Sequence, residues 1–303
     1  MAESVKIDDL KEDMNEGLIF HDFLGKDIYH FKNLNPIKVD DFSLCQLSAE
    51  ETSTEETAYR ADFEKIHQSI ESGAFDKVIL SRIKVMPTQK SALEIFERLN
   101  DYYQNTFNYI ISCPELGTWI GASPETLVSI DQLKIKTMSL AGTKTADDNW
   151  TQKEIDEQNF VTEAIITNLE KVNCSEIQAN GPNTITAGPI EHLQTKITAR
   201  LSNESDWVKL VHELHPTPAV CGIPTEASKR LIHQVEKHDR NFYTGYIGLL
   251  SKKHKQFFVN LRCMELLKGC AKLYVGGGLT ADSKPDLEWL ETERKSITLS
   301  NCL

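Results

Sequence analysis

Short runs of apolar residues recur along most of this chain, and brief polar stretches separate them. Because strands that are buried on one or both faces produce such runs, the pattern predicts a protein rich in β-structure. The predicted strands are residues 77–85, 107–113, 118–121, 126–130, 133–140, 243–251, 256–266 and 270–276. Asp131-Gln132 and Lys252-Lys253-His254 are short enough to be hairpin turns, so we expect antiparallel pairing.

A second pattern, with apolar residues three or four positions apart, lies between groups of strands and predicts helices. The predicted helices are residues 59–72, 92–102, 154–172, 207–214 and 228–235, with a further helix begun by Pro285. Since the strands are not followed one by one by helices, regular βαβ winding is not expected. We therefore predict an α+β fold in which large antiparallel β-sheets form a sandwich-like core with helices packed outside.

Chain length and polar stretches bear on the domain organisation. At 303 residues the chain is long enough for one large core or two modest domains. The polar stretch 48–56 is typical of a surface connection, and the rest of the chain contains no comparable linker. We predict a single domain over residues 1–303, in which residues 1–56 form a short N-terminal extension and linker.

Charge and cysteine usage limit the classes of partner. A formal net charge of −12 disfavours nucleic acid and anionic membranes. The seven cysteines are scattered without a CxxC motif, which favours reduced thiols over a disulfide framework or a zinc site. The sequence shows no signal peptide and no apolar run of membrane-spanning length. We expect a soluble, cytoplasmic protein that binds a small molecule.

Near the C-terminus, a glycine-rich run precedes a helix that carries three charged residues. Gly277 and Gly278 end a predicted strand, and Glu288, Glu291 and Lys295 fall on one face of the helix. Two carboxylates beside an open backbone predict a metal bound next to an anionic ligand. The alternative is a solvated ion pair between Glu291 and Lys295, which have the i,i+4 spacing.

A second acidic pair, Glu154 and Glu157, has the same i,i+3 spacing. Both residues share a helical arc with Val161 and Ile165, so their carboxylates should point inward. Unpaired inward carboxylates are costly, and two pairs on separate helices are most simply stabilised by sharing a hard cation. The alternative is an inward salt bridge to one of the many lysines or arginines.

Two ionisable residues have positions suited to proton transfer. Lys77 heads an apolar strand, where partial desolvation would lower its pKa towards the range of a base. Glu125 follows a Ser-Pro turn between two strands, a fixed place from which a carboxyl group can protonate a leaving group. Taken singly, each has a plainer interpretation: a lysine that extends to water and an exposed turn residue.

Several further residues are candidates for binding an anionic substrate. Residues 141–143 end a strand with Ala-Gly-Thr, whose glycine permits a close backbone approach. His215 ends a predicted helix and is either a substrate contact or a helix-terminal residue stabilised by the dipole. Tyr243 and Arg262 fall in predicted strands, and an arginine within an apolar strand is costly unless it meets an anion.

Six motifs in order resemble one family, the chorismate-utilising enzymes, which include isochorismate, salicylate, anthranilate and aminodeoxychorismate synthases. They are KVILSR at 77–82, SPE at 123–125, LAGT at 140–143, EIDE at 154–157, HPTPA at 215–219 and the acidic helix that follows the glycines at 277–278. The resemblance covers roughly residue 75 to the C-terminus. In two respects the chain departs from the family: its N-terminal part is shorter than in many members, and Gln158 stands where histidine is frequent.

The resemblance implies a Mg²⁺-dependent enzyme that acts on chorismate. Lys77 would activate a water molecule for attack at C2, and Glu125 would protonate the departing C4 hydroxyl. Glu157 and Glu291 would be the main Mg²⁺ ligands, with Glu154 and Glu288 completing the acidic site directly or through water. The implied substrate-binding residues are Ala141, Gly142, Thr143, His215, Tyr243, Arg262, Gly277, Gly278 and Lys295.

Fewer residues bear on the choice of subfamily. In the family, a lysine at the position of Lys77 accompanies water as the nucleophile, and Ala141 disfavours aminodeoxychorismate synthase, which has a nucleophilic lysine there. The HPTPA motif favours isochorismate synthase over salicylate synthase, which also eliminates pyruvate; a chorismate-binding protein without catalysis is the third possibility. We expect a monomer without a glutamine amidotransferase subunit. The product could serve menaquinone, siderophore or salicylate synthesis.

Overall fold

The computed structural model describes residues 3–34, 52–145, 147–187 and 190–303. The strands are β1 (Glu3–Ile7), β2 (Gly17–His21), β3 (Ile28–Lys32), β4 (Lys77–Pro87), β5 (Phe107–Cys113), β6 (Gly117–Ser123), β7 (Thr126–Asp131), β8 (Lys134–Thr145), β9 (Ser175–Ala187), β10 (Ile190–Arg200), β11 (Gly222–Ile223), β12 (Tyr246–Leu250), β13 (His254–Val259), β14 (Cys263–Leu267) and β15 (Cys270–Leu279). The α-helices are α1 (Glu56–Glu71), α2 (Ala92–Tyr102), α3 (Gln152–Lys171), α4 (Trp207–Leu214), α5 (Thr225–Val235) and α6 (Pro285–Ser300). In the described part of the chain, no helix is both long enough and apolar enough to cross a membrane.

The chain forms two compact units, each assembled from three separate segments. The first unit comprises Met1–Asn35, Glu125–Val220 and Thr244–Val259. The second comprises Pro36–Pro124, Cys221–Tyr243 and Asn260–Leu303. The organisation of residues 1–303 as one domain stays a prediction.

The first unit is built on a nine-stranded sheet in the order β1-β3-β2-β12-β13-β7-β8-β10-β9, and every neighbouring pair is antiparallel. The two predicted hairpins are confirmed, since β7 is followed directly by β8 and β12 by β13. Helix α3 contributes Val161, Ile165 and Leu169 to the core, each at most 1% exposed. Their spacing is that of one helical face, as the sequence pattern predicted.

Strands β1 to β3 form one edge of this sheet and were not predicted. Ile19 and Phe20 of β2 are fully buried, so residues 3–32 belong to the sheet of the first unit. Each strand is only five residues long, and β1 is largely polar, so the apolar pattern of the segment is weak. Residues 35–51, which include residues 48–51 of the predicted linker at 48–56, lie outside the described residues.

The second unit is built on a six-stranded sheet in the order β11-β4-β15-β14-β6-β5, again antiparallel throughout. Its longest pairing joins β4 to β15 and places Gly276, Gly277 and Gly278 opposite Ser81, Leu80 and Ile79. A cluster of fully buried side chains fills the core beside α2, including Ile95, Leu99, Ile120, Met264 and Leu273. The α+β fold with large antiparallel sheets is therefore confirmed.

Two of the strand predictions need correction. The strand predicted over 256–266 is wrong, because β13 ends at Val259 in the first unit and β14 begins at Cys263 in the second. Arg262 lies in the bend between them with φ +47°, not in a strand. Tyr243 also precedes its strand: it lies in a turn, where its N–H donates to the carbonyl of Arg240 at 2.8 Å. Leu261 within the first break, and Phe242 and Tyr243 before the second strand, are apolar, so the hydrophobic pattern does not mark these boundaries clearly.

Candidate active site

The C-terminal acidic helix approaches the glycine-rich end of β15. A Cβ atom at Gly277 would lie 3.2 Å from Glu288 Oε2 and 3.7 Å from Glu291 Oε1, so two carboxylate oxygens converge on one point of the backbone. Glu288 is 2% exposed, and its Oε1 accepts a hydrogen bond from Ser283 Oγ at 2.6 Å. The i,i+3 spacing on α6 therefore brings both acids to the strand, as predicted.

Lys295 belongs to the same group of charges. Its Nζ lies 2.7 Å from Glu291 Oε1 and donates to the carbonyl of Gly276 at 3.1 Å. The ion pair that the spacing allowed is thus present, with both side chains 26% exposed. Because the ammonium also binds the strand backbone, Lys295 is held beside the glycines and can present positive charge to an anion.

Tyr59 of α1 is a member of this region that sequence reasoning missed. It is 1% exposed, and its ring packs edge-on against Trp289, with the ring centres 5.4 Å apart. Burial, followed by the charges of Glu288 and Glu291, raises the pKa of the Tyr59 hydroxyl, which therefore stays a neutral donor. The sequence shows Tyr59 only as an apolar position of a helix, and nothing in the pattern connects it with the acids.

Tyr243 and Arg262 occupy turns of the second unit. A Cβ atom at Gly276 would lie 3.0 Å from the hydroxyl of Tyr243, so this glycine permits the phenol to touch the strand backbone. Burial lowers the pKa of Arg262 to about 10, while the nearby Tyr103 acts in the opposite direction. The guanidinium of Arg262 remains cationic at neutral pH, as binding of a carboxylate requires.

Lys77 begins β4 and is only 1% exposed. Its backbone pairs with Ile223 of β11, and a side chain at Gly222 would overlap the Lys77 carbonyl. The strand end is thus tightly packed, and the lysine does not extend to water, which rejects the plainer interpretation of this residue.

Glu125 lies immediately before β7 and is 2% exposed. Its carbonyl accepts a hydrogen bond from the amide of Val259 at 3.1 Å, which fixes the backbone at this point. An exposed turn residue, the plainer interpretation, is therefore excluded.

The other acidic pair opens α3 and is half-buried. Glu154 closes the N-terminus of the helix: it accepts hydrogen bonds from the amide of Thr151 at 2.9 Å and from its hydroxyl, forming a capping box. Gly142 of β8 packs against the same turn, since a Cβ atom there would lie 3.1 Å from the Glu154 Cβ. Gly142 thus lies beside Glu154, and Ala141 and Thr143 flank it on strand β8.

Gln158, the residue that departs from the family pattern, connects α3 to the sheet. Its Oε1 accepts from the amide of Ala141 at 2.9 Å, and its Nε2 donates to Ser139 Oγ at 2.7 Å and Thr195 Oγ1 at 2.9 Å. Gln158 is fully buried, so these bonds satisfy polar groups that water does not reach. The side chain fixes the start of the Ala141-Gly142-Thr143 segment.

Replacing Gln158 with leucine is therefore expected to lower the free energy of unfolding by about 3 kcal/mol, because several buried polar groups lose their partner. Urea unfolding followed by circular dichroism measures the change. Gln178→Leu is the matched control, since Gln178 is exposed on β9, and it should change the stability by less than about 0.5 kcal/mol. Equal stability of Gln158→Leu and the unmodified protein would contradict the assignment.

His215 ends α4, and its N–H donates to the carbonyl of Val211 at 3.0 Å. Its ring packs edge-on against Tyr246 and His21, with centres 4.9 and 5.2 Å away. His215 is half-buried in an aromatic group of the first unit. Its role as a substrate contact stays a prediction.

The acidic residues are candidate ligands of a magnesium ion. Among the residues that the structure describes, no three His, Cys, Asp or Glu side chains lie close enough together to hold a metal ion. The converging oxygens of Glu288 and Glu291 nevertheless fit Mg²⁺, which prefers oxygen ligands and retains several waters. Glu154 fits less directly, because one of its oxygens caps α3. The set of four metal ligands stays a prediction.

The sequence of this chain is similar to those of a known protein family. The model of the chorismate binding enzyme family matches residues 25–303. The chain belongs to this family. Membership confirms the resemblance that the six motifs indicated, and the match begins well before the first of them.

Curated relatives of this chorismate-binding enzyme include isochorismate synthases. EntC of Escherichia coli strain K12 is 28% identical over 242 residues, which cover 75% of this chain and 62% of EntC. DhbC of Bacillus subtilis strain 168 is 30% identical over 265 residues, 80% of this chain and 66% of that protein. The chain thus spans less than two thirds of the length of either relative.

The fold is also found in a solved structure of a family member. The crystal structure of DhbC from Bacillus anthracis matches with a TM-score of 0.84, covering 99% of this chain and 91% of that one. The two sequences are 23% identical, so the similarity shows a shared fold. The predicted fold of a chorismate-utilising enzyme is thereby confirmed.

Proposed function

We propose that this chorismate-binding enzyme is an isochorismate synthase, which converts chorismate reversibly to isochorismate. The observation that carries the proposal is the burial of Lys77 and Glu125, which are 1% and 2% exposed. A protein that only binds chorismate needs neither a buried base nor a buried acid. The curated relatives with this activity agree with the proposal.

In the proposed reaction, water replaces a hydroxyl group with migration of the ring double bonds. The amine of Lys77 removes a proton as the water oxygen bonds to C2 of chorismate. Glu125 donates its proton to the C4 hydroxyl as the C4–O bond breaks. One water molecule enters and one leaves, so the product is an isomer of the substrate, and the two residues exchange roles in the reverse direction.

Positively charged and polar groups would bind the carboxylates of chorismate. Arg262 and Lys295 supply the charge, and the hydroxyl of Tyr243 and the amides near Gly277 and Gly278 supply hydrogen bonds. The segment Ala141-Gly142-Thr143 and His215 complete the proposed substrate-binding set. Lys295 is already anchored to the Gly276 carbonyl, which limits its motion and favours binding of an anion at this strand end.

Magnesium is the proposed cofactor, held mainly by Glu157 and Glu291, with Glu154 and Glu288 bound directly or through water. When bound, Mg²⁺ would neutralise a carboxylate of the substrate and fix its position. Glu288 is positioned for this by its hydrogen bond from Ser283, which leaves Oε2 directed to Gly277. The proposed donors are all carboxylates, in keeping with a hard cation.

Replacing Glu291 with glutamine is expected to raise the Mg²⁺ concentration for half-maximal activity by about ten- to a hundredfold. Glu293→Gln is a matched control on the same helix, because Glu293 pairs with Arg82 and Lys84. The control should leave the Mg²⁺ dependence unchanged. Calorimetric titration of each variant with MgCl₂ supplies a measurement apart from activity. Equal Mg²⁺ affinity in Glu291→Gln and the unmodified protein would remove Glu291 from the site.

The activity itself is tested by incubating the protein with chorismate and MgCl₂ and separating the products by chromatography. We expect isochorismate and chorismate at equilibrium from either starting compound, and loss of conversion when EDTA removes the metal. Salicylate with pyruvate would identify a salicylate synthase instead. Chorismate that binds but stays unchanged would identify a binding protein.

We also propose a cytoplasmic monomer without a glutamine amidotransferase subunit, since water rather than ammonia is the proposed nucleophile. The free thiols of the six cysteines that the structure describes are in keeping with a reducing compartment. Size-exclusion chromatography with light scattering tests the monomer.

A further inference from the structure

Strand β11 pairs with two residues of β4. Beyond these two residues, the same edge of β4 forms hydrogen bonds with groups that are not part of a strand. The amide of Ile79 donates to the carbonyl of Cys221 at 2.8 Å. The next two groups on this edge are the carbonyl of Ile79 and the amide of Ser81. A buried strand edge must satisfy such groups, because leaving them unpaired away from water is costly.

Glu236 and Arg240 satisfy both groups. The Oε1 of Glu236 accepts from the amide of Ser81 at 2.7 Å and from its hydroxyl at 2.9 Å, and Arg240 Nη2 donates to the Ile79 carbonyl at 2.9 Å. The two side chains also bind each other, with Arg240 Nε 2.8 Å from Oε2 and Nη2 2.6 Å from Oε1 of Glu236. A carboxylate and a guanidinium thus replace the backbone of a neighbouring strand.

This ion pair is deeply buried, with side chains that are 2% and 3% exposed. Burial opposes the ionisation of Glu236, but the charge and hydrogen bonds of Arg240 hold the pKa of Glu236 below its usual range. His238 closes the group, with its Nε2 3.0 Å from Ser81 Oγ. Burial lowers the pKa of His238, so the pair remains the main charge of this group.

Arg240 also holds the turn that carries Tyr243. The Arg240 carbonyl accepts from the amide of Tyr243, and its guanidinium carbon lies 6.0 Å from the centre of the Tyr243 ring. The Tyr243 hydroxyl lies close to Gly276, since a Cβ atom there would be 3.0 Å away, and Gly276 pairs with Ser81 across the β4–β15 ladder. Arg240 therefore contacts β4 through its side chain and the Tyr243 turn through both its backbone and its side chain.

We infer that Glu236 and Arg240 are positioning residues, which place the Tyr243 hydroxyl at Gly276 by joining its turn to the edge of β4. The inference rests on the proposed function, in which Tyr243 orients chorismate. A pair that only stabilised the fold would lower stability without a specific effect on substrate binding. A positioning pair acts on the substrate through Tyr243 and loses that effect once the Tyr243 hydroxyl is gone.

A double-mutant cycle separates these possibilities. Arg240→Lys keeps the charge but cannot bind Glu236 through two nitrogens and Ile79 at the same time. We expect Arg240→Lys and Tyr243→Phe each to raise the KM for chorismate by about tenfold, with a smaller change in kcat. In the double variant, Arg240→Lys should add less than about twofold to the effect of Tyr243→Phe.

Arg82→Lys provides the matched control, because Arg82 is a buried arginine of the same strand that pairs with Glu293. In the double variant, the fold-changes in kcat/KM caused by Arg82→Lys and by Tyr243→Phe should multiply. Circular dichroism and thermal unfolding verify that each variant is folded. If Arg240→Lys does not fold, Glu236→Gln takes its place in the cycle with the same expectation.

The inference is overturned if the fold-changes in KM caused by Arg240→Lys and Tyr243→Phe are independent and multiply in the double variant. It is also overturned if folded Arg240→Lys has an unchanged KM for chorismate. If the unmodified protein binds chorismate without converting it, the proposed function fails, and the cycle is then judged on chorismate dissociation constants from calorimetry. If the unmodified protein does not bind chorismate, both proposals are overturned.

Discussion

Lys77→Ala is expected to lower kcat for chorismate by about a hundred- to ten-thousandfold, the usual contribution of a general base. The amine is buried at the head of β4, and alanine leaves no group there that can remove a proton from water. Binding of chorismate should remain measurable by calorimetry, because Lys77 is not one of the residues proposed to hold the substrate's carboxylates. Loss of kcat with retained binding is the result that identifies a base.

Lys84→Ala controls for the loss of a lysine from the same strand. Lys84 pairs with Glu293 and is not one of the proposed site residues, so this variant should keep kcat within about twofold of the unmodified protein. Product chromatography over a time course measures both variants. Normal turnover by Lys77→Ala would remove Lys77 from the role of base and would require another group to activate the water.

Glu125→Gln is expected to lower the rate by about a hundredfold or more, because the amide keeps the shape of the side chain and cannot donate the proton that the leaving hydroxyl needs. The reaction is reversible, and the acid of one direction is the base of the other. The conversion of isochorismate to chorismate should therefore slow by the same factor. Following both directions by chromatography measures the loss of rate and checks that the equilibrium constant is unchanged, as a catalyst requires.

Glu115→Gln is the matched control for Glu125, since Glu115 lies exposed in the turn between β5 and β6. Its rates should equal those of the unmodified protein in both directions. A Glu125→Gln variant that kept the rates of the unmodified protein would show that the proton comes from another donor.

The bounds of a helix or strand could be predicted where a single hydrophobic pattern extends over the whole element and stops at its ends. Helices α2 and α4 and strand β5 have the predicted bounds, because each has a regular apolar spacing with polar residues at its ends. Strands β9 and β10 were not predicted. Most residues of β9 are exposed, and the Asn180-Gly181-Pro182 sequence at its centre is typical of a turn, so the pairing with β10 decides its structure.

Spacing and motif order identified the acidic residues of the candidate site, but not their surroundings. The i,i+3 pairs need only local helical geometry, which the sequence supplies. Burial of Lys77 and Glu125 depends on strands that are distant in sequence, such as β11 and β13. The same holds for Gln158 and Arg240, whose partners lie on other elements, so their roles have no local pattern to indicate them.

The division of the chain into two units, each made of three segments, has a consequence for protein engineering. The boundaries fall at 35/36, 124/125, 220/221, 243/244 and 259/260, so no single cut separates one sheet from the other. A fragment produced by one cut would contain at least one incomplete sheet with unpaired edges, which favour aggregation. Many of the native contacts join residues far apart in sequence, and we expect such a chain to fold slowly. Circular permutation at an exposed turn retains every strand and is the safer way to move the termini.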